Sequence, residues 1–452
     1  MNPGAGVTAS HEAWTPRGWR TCAPACVPDY ADAAEVTAVA AQVGALPPLV
    51  TSWEILALKR RLAEAQQGCG FLLSGSESLE HFSGSRADTL ANRLKVMLQM
   101  SLLLAHGLRQ PVIRLGSFAG QYACIQKGGP DGVACRGDIV SVDMASVPDP
   151  HRMLDAHVHA ALSMNFIRAL IDGGFTDIGQ LKSWNLAWVE KSASSPDSRA
   201  PIEALQDALQ FMKAWADCEP NDMGRAELYF SHNALLLPYE ESCTRQVPRH
   251  PGWFNLSTHL PCLDPHVAHN HGAHVEYLRG LGNPVAVHVG PRMKPAELLG
   301  LIDILNPGNA CGHLVLIHHM GVSAIDEALP PLLRAVHQAK RQVLWVCDPM
   351  SGNTVPAGNG CITRHFQAIR EELARATAWH DAEGTHLGGI HLELTGEDVR
   401  ECAENTPDDG ASGSFLPADS SLLPRLNYRQ SLEIAMHAVR LQRDKPGVAA
   451  CC

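Results

Sequence analysis

Imidazoles and carboxylates recur at one kind of place in this 452-residue chain: the polar end of a short apolar run. The run Pro284 to Val289 carries His288, Leu314 to Ile317 leads to His318 and His319, Val343 to Val346 to Cys347, Asp348 and Ser351, and Ile390 to Leu394 includes Glu393 before Thr395. Earlier runs end in Ser76, Glu77 and Ser78, in Ser117, in Ser231, His232 and Asn233, and in His259. An imidazole gives or takes a proton near neutral pH, and several beside carboxylates suit general acid–base work or metal binding. One such histidine alone is more often a hydrogen-bonded packing residue; a set on adjacent elements is the stronger signal. A further group, His266, His269, His271 and His274, matches no fixed zinc spacing.

Those residues need a frame. The runs are Phe71 to Leu73, Val112 to Leu115, Glu227 to Phe230, Phe254 to Leu256, and the four just named, eight in all. Most are followed by helical periodicity, and strands alternating with helices imply parallel units. Eight of them predict a closed (β/α)8 TIM barrel, an α/β fold, with an open doubly wound sheet as the alternative. In such a barrel chemistry gathers at the C-terminal strand ends, where the histidines and acids stand. Residues 1–68 read as an N-terminal extension packing on the barrel, with helices expected over Ala31 to Val43 and Glu54 to Gln67. Residues 69–452 read as the barrel, with an inserted helical pair at about 148–212. Gly128-Gly129 and Gly388-Gly389 are too short for phosphate loops and read as tight turns.

Bulk properties narrow the class. An apolar fraction of 45% with 18% charged residues is globular. A net charge of −11 argues against nucleic acid or an anionic membrane as partner. The most apolar helix candidate, Leu94 to Leu108, is short for a bilayer and carries Lys95, Gln99 and His106. No basic stretch precedes a long apolar run, and fourteen cysteines lack zinc-type pairs. The expectation is a cytoplasmic protein with reduced thiols and a small-molecule substrate.

Longer strings carry a resemblance. Leu46-Pro47-Pro48-Leu49-Val50, Gly120-Gln121-Tyr122-Ala123, Arg136-Gly137-Asp138, Gly272-Ala273-His274, Cys347-Asp348-Pro349-Met350 and Thr363-Arg364-His365-Phe366 occur in order. Gly388-Gly389-Ile390-His391 and Pro424-Arg425-Leu426-Asn427 follow. Together they resemble class II 3-deoxy-D-arabino-heptulosonate 7-phosphate (DAHP) synthases, from about Trp19 to Leu441. The resemblance implies a barrel with extensions, a homo-oligomer such as a dimer, and condensation of phosphoenolpyruvate with erythrose 4-phosphate on a divalent metal.

The chain departs from that pattern at the residues that matter most. The family's Gly-Gly-Asp-Cys-Ala-Glu string aligns with Gly75 to Glu80, so the ligand cysteine is Ser78. The ligand histidine is Ser351, the ligand aspartate is Leu423, and only the glutamate is kept, as Glu393. Of the phosphoenolpyruvate contacts, an arginine is Ser117, a Glu-Arg pair is Pro265-His266, a lysine is His288 and an arginine is His319. Hydroxyl and alkyl groups bind divalent metals poorly or not at all, so no metal cofactor is expected. A rebuilt site on His288, His319 and Glu393 is the alternative.

The expected catalytic residues are therefore His288, His319, His266, Glu393 and Asp348. Arg136, Ser117, Arg364, His365, His259, Ser78 and Ser351 are expected to bind substrate. The function expected is a DAHP synthase-like enzyme repurposed in specialised metabolism for condensation or acyl transfer by histidine acid–base catalysis. A true DAHP synthase of the shikimate pathway and a non-catalytic binding or regulatory homologue are the alternatives.

Overall fold

The computed structural model describes residues 14–22, 26–127, 133–143, 146–175, 207, 227–357, 360–404, 415–417 and 422–443. Among the described residues two α-helices precede the first strand, α1 (Ala33–Ala45) and α2 (Ser52–Gln66). Thr51 and Glu54 cap α2 reciprocally: the Thr51 hydroxyl accepts from the Glu54 N–H, and the Glu54 carboxylate accepts from the Thr51 N–H at 2.8 Å.

The chain then lays down eight parallel strands that close into a barrel. They are β1 (Phe71–Ser76), β2 (Val112–Gly116), β3 (Tyr229–Asn233), β4 (Leu260–Leu263), β5 (Val285–Val289), β6 (Leu314–His318), β7 (Leu344–Cys347) and β8 (Leu387–Glu393). Neighbours in space are neighbours in sequence, and β8 closes on β1. This is the (β/α)8 barrel expected from the alternating runs. The outer layer includes α3 (Ala87–Leu108), α5 (Pro295–Leu305), α6 (Ile325–Gln338), α7 (Phe366–Ala382) and α8 (Tyr428–Arg443). Helix α4 (Arg152–Leu170) falls in the span of about 148–212 where an inserted helical pair is expected, and most of that span beyond residue 175 lies outside the described residues. Among the described residues no helix is long and apolar enough to cross a membrane.

Side chains alternate between the two faces of a strand, and here the inner face changes character along the barrel axis. Its lower part is a closed apolar cluster of Leu72, Ile113, Leu115, Tyr229, Leu260, Cys262, Ala286, Val315, Ile317, Leu344 and Val346. Leu58, Leu62 and Ala65 of α2 complete that cluster, so α2 stoppers the N-terminal end. Toward the other end the same inward registers carry Ser74 and Ser76, Ser117, Ser231, Asp264, His288, His319, His391 and Glu393.

Two expectations are corrected. The fourth strand is Leu260–Leu263, whereas Phe254 to Leu256 belongs with the antiparallel hairpin of Thr244–Val247 and His250–Asn255. Pro261 lacks a ladder N–H, a residue usually confined to sheet edges, yet it pairs with His232 inside the barrel. Second, Gly388-Gly389 is no turn but part of β8. Trp345 pairs with Leu387 and Cys347 with Ile390, so β8 holds one residue more than β7 over that stretch. Such a bulge reverses the facing of everything beyond it. Leu387 and Ile390 face outward with Trp345 and Cys347, while Gly389, His391 and Glu393 sit level with Leu72, Ser74 and Ser76 on the inside. A Cβ on Gly389 would lie 2.6 Å from the Leu72 carbonyl oxygen, so only glycine fits.

Candidate active site

The polar end of the barrel opens into a cavity of about 390 Å³. It is lined by Ser74, Ser76, Ser78, Ser117, Ser231 and Ser351, by amides from Gln121, Gln126 and Asn233, by carboxylates from Glu77, Asp264 and Glu393, and by imidazoles from His232, His266, His288, His319 and His391. No lysine or arginine is among the described residues of its wall.

Three of the imidazoles form one group. The His288 ring lies 6.1 Å from that of His319 and 5.6 Å from that of His391, centroid to centroid. Burial disfavours their charged forms. His288 is pushed down to about 4 by burial first and then by its two imidazole neighbours. Burial also lowers His319 and His391 below the ordinary histidine value. At neutral pH these rings are bases and hydrogen-bond partners, not cations. His391 is held on both sides: the Ser74 hydroxyl lies 2.8 Å from Nδ1 and the Ser76 hydroxyl 3.1 Å from Nε2.

The carboxylates divide into an ionised pair and a proton-holding one. Burial alone would raise Asp348, but His391, His319, the Ser351 contact and Arg364 outweigh it and hold the group at about 2. Its Oδ1 accepts the N–H groups of Met350 and Ser351 at 2.8 and 3.0 Å. Asp264 is likewise lowered against its burial, by hydrogen bonds from the His266 backbone and ring. Glu393 is raised to about 7, because burial outweighs the Arg364 guanidinium 3.4 Å away and the Asp348 charge adds to the burial. A carboxyl that shares its proton near neutrality beside neutral imidazoles is a competent acid–base set.

Of the residues nominated from sequence, His288, His319, His266, Glu393, Ser117, Ser78 and Ser351 stand on the cavity wall. Asp348 lies just behind it, 1% exposed. The others lie elsewhere. His259 precedes β4, at the stoppered end: its Nδ1 accepts the Phe230 N–H and its Nε2 faces Glu54 of α2 at 3.8 Å. It followed from misplacing the fourth strand. Arg364 is fully buried, donating to Thr354 Oγ1 at 2.9 Å and to the Pro424 carbonyl at 2.6 Å beside Glu393. It braces the site from behind. Arg136 ends a hairpin strand opposite Cys124, and His365 is the residue immediately before α7; neither lines the cavity.

Sequence reasoning passed over His391, Ser74 and Asp264 as site residues. Inward alternation from Glu393 reaches His391, two residues back, and that signal was present in the strand pattern. Glu77 was flagged only as a strand end. It is tied to Arg93 and Arg425, and Arg425 also holds Glu401 at 2.6 Å, so its charge is compensated from behind the wall.

A parallel barrel with its polar cavity at the C-terminal strand ends is the frame of a (β/α)8 enzyme. The chain matches the model of the class-II DAHP synthetase family over residues 14–439. It is 33% identical to a phospho-2-dehydro-3-deoxyheptonate aldolase of Neurospora crassa, over 95% of this chain and 94% of that one. It is 34% identical to a Streptomyces coelicolor protein of the same name, over 94% of this chain and 97% of that one. The chain belongs to the class-II DAHP synthetase family.

The family's metal does not fit the donors present. Ser78, Ser351, Glu393 and Leu423 do converge on the cavity. One is a carboxylate already paired with Arg364, two are hydroxyls and the last has no donor. The Ser78 hydroxyl is engaged by the Leu423 N–H at 2.9 Å. Among the described residues no three His, Cys, Asp or Glu side chains gather as metal ligands would.

Proposed function

We propose that this protein is a transferase of the class-II DAHP synthetase family whose donor carries less phosphate than phosphoenolpyruvate. His288, His319 and Glu393 move protons in the barrel mouth during a condensation or acyl transfer. The observation that carries the reading is the wall itself: it has neutral imidazoles and hydroxyls, and no lysine or arginine among its described residues. A dianionic donor draws roughly 1.5–3 kcal/mol from each charge-assisted contact. Ser117, His266, His288 and His319 replace such contacts, which removes several orders of magnitude in affinity. A changed donor fits a reaction of specialised metabolism, outside the shikimate route.

A second reading is ordinary DAHP synthase activity. Similarity along nearly the whole chain to two phospho-2-dehydro-3-deoxyheptonate aldolases favours it, and the comparisons taken alone favour it over the first. Phosphoenolpyruvate consumption with erythrose 4-phosphate, in the presence of manganese or cobalt, separates the two. The first reading expects no turnover above background. Turnover near that of an ordinary synthase would replace it with the second.

A further inference from the structure

We propose that Ser76 is a covalent nucleophile activated by His391, and that the group transferred in the barrel mouth is an acyl group. The proposal rests on the imidazole acid–base reading above and names its reaction.

The geometry is that of a nucleophile, a base and an orienting group. Ser76 ends β1 on the cavity wall, with its hydroxyl 3.1 Å from His391 Nε2. The other ring nitrogen, Nδ1, lies 2.8 Å from the Ser74 hydroxyl. With the proton on Nδ1 and donated to Ser74, Nε2 is free to accept from Ser76. Strand register fixes the three: Ser74 pairs with His391 and Ser76 with Glu393 across β1 and β8. Ser74 is 1% exposed and one inward position deeper, whereas Ser76 stands closer to the opening at 6%. Competing acceptors for Ser76 are weak, the Leu392 carbonyl being 3.5 Å away. A wall without ammonium or guanidinium groups among its described residues suits an uncharged ester or thioester.

The steps balance. Ser76 Oγ bonds to the acyl carbon of an ester or thioester while its proton passes to His391 Nε2. The donor's C–O or C–S bond breaks, and the departing alkoxide or thiolate takes that proton from Nε2. An amine or alcohol acceptor then attacks the seryl ester and gives its proton to Nε2, which returns it to Ser76.

The test uses the full-length protein and a fluorophosphonate probe, with the adduct located by peptide mass spectrometry. The expected result is stoichiometric labelling at Ser76 in the native protein and none in protein unfolded by guanidinium. Ser76→Ala removes the label, and His391→Asn slows it by at least about tenfold. Absence of a Ser76 adduct, or a rate unchanged in His391→Asn, overturns the proposal. The contrast between native and unfolded wild type needs no variant to fold; equal labelling of the two overturns the proposal. Synthase turnover measured on the same preparation bears on the function reading alone. A missing label with no turnover removes Ser76 and leaves imidazole catalysis standing.

Discussion

The backbone N–H of Leu423 donates to the hydroxyl of Ser78 at 2.9 Å, joining positions 345 residues apart in sequence. In relatives that keep the family pattern, a carboxylate and a thiolate would face a metal from these two positions. Here a hydrogen bond spans them. The positions at which the resemblance puts metal ligands lie together in this chain, and the side chains standing there are a hydroxyl and an alkyl group.

That proximity makes the metal site restorable. The triple variant Ser78→Cys, Ser351→His, Leu423→Asp is expected to bind about one manganese or zinc ion per chain after dialysis, with Glu393 as the fourth ligand. The wild-type chain should retain well under a tenth of that, roughly the background of adventitious binding. Elemental analysis reads both; equal metal content in the two proteins would show that the wild-type donors suffice.

Arg364 tests the support behind the site. It is wholly buried and its charge faces Glu393 at 3.4 Å. Arg364→Ala leaves the Pro424 carbonyl and the Thr354 hydroxyl without their buried donor, a change that costs roughly 1–3 kcal/mol for each group left unsatisfied. The same substitution should raise Glu393 further, since the guanidinium is what now opposes its burial. Urea denaturation measures the first effect and carboxyl-region infrared titration the second.

Stability should depend on pH through the raised carboxyls. Burial raises Glu372, like Glu393, from 4.5 to about 7, with Asp348 adding to the effect. The folded state therefore keeps a proton that the unfolded chain releases above about 4.5. This stabilisation is complete below that value and is lost as pH rises through about 7. The stability of wild type relative to Glu372→Gln should fall by roughly 2–3 kcal/mol between pH 5 and pH 8. Buried imidazoles such as His288 act in the opposite sense below the ordinary histidine value, and the comparison with the variant cancels them. A pH-independent difference between the two proteins would contradict the shift at Glu372.

Leu58 reports on the helix beneath the barrel. It is fully buried among Leu344, Val346 and their neighbours in the inner cluster. Leu58→Ala should destabilise by roughly 2–5 kcal/mol, the range for emptying a packed leucine site. Thermal or urea unfolding reads this directly, and a loss below about 1 kcal/mol would mean that α2 is not needed to close the floor.

Much of the fold was legible because most of the parallel strands are short apolar runs with a polar end. Val285 to Val289 and Leu314 to His318 show it plainly. The fourth strand was obscured by Pro261 and by an aromatic hairpin just before it. His288 and His319 were legible because they stand on inward registers at strand ends. His391 was legible only by stepping two residues back from Glu393, because the bulge at Gly388-Gly389 breaks the alternation earlier in that strand. Arg364 was misjudged for a related reason. Charge suggested a ligand contact, whereas its direction toward Glu393 and Pro424 is set by tertiary packing.

Helix α2 gives the vessel a sealed base. Traffic is therefore one-way in space: whatever reaches the imidazoles must leave through the doorway by which it came. A bulky leaving fragment would block the next reactant until it departs. Exchange at the rim then belongs in the turnover cycle as much as the bond-making below.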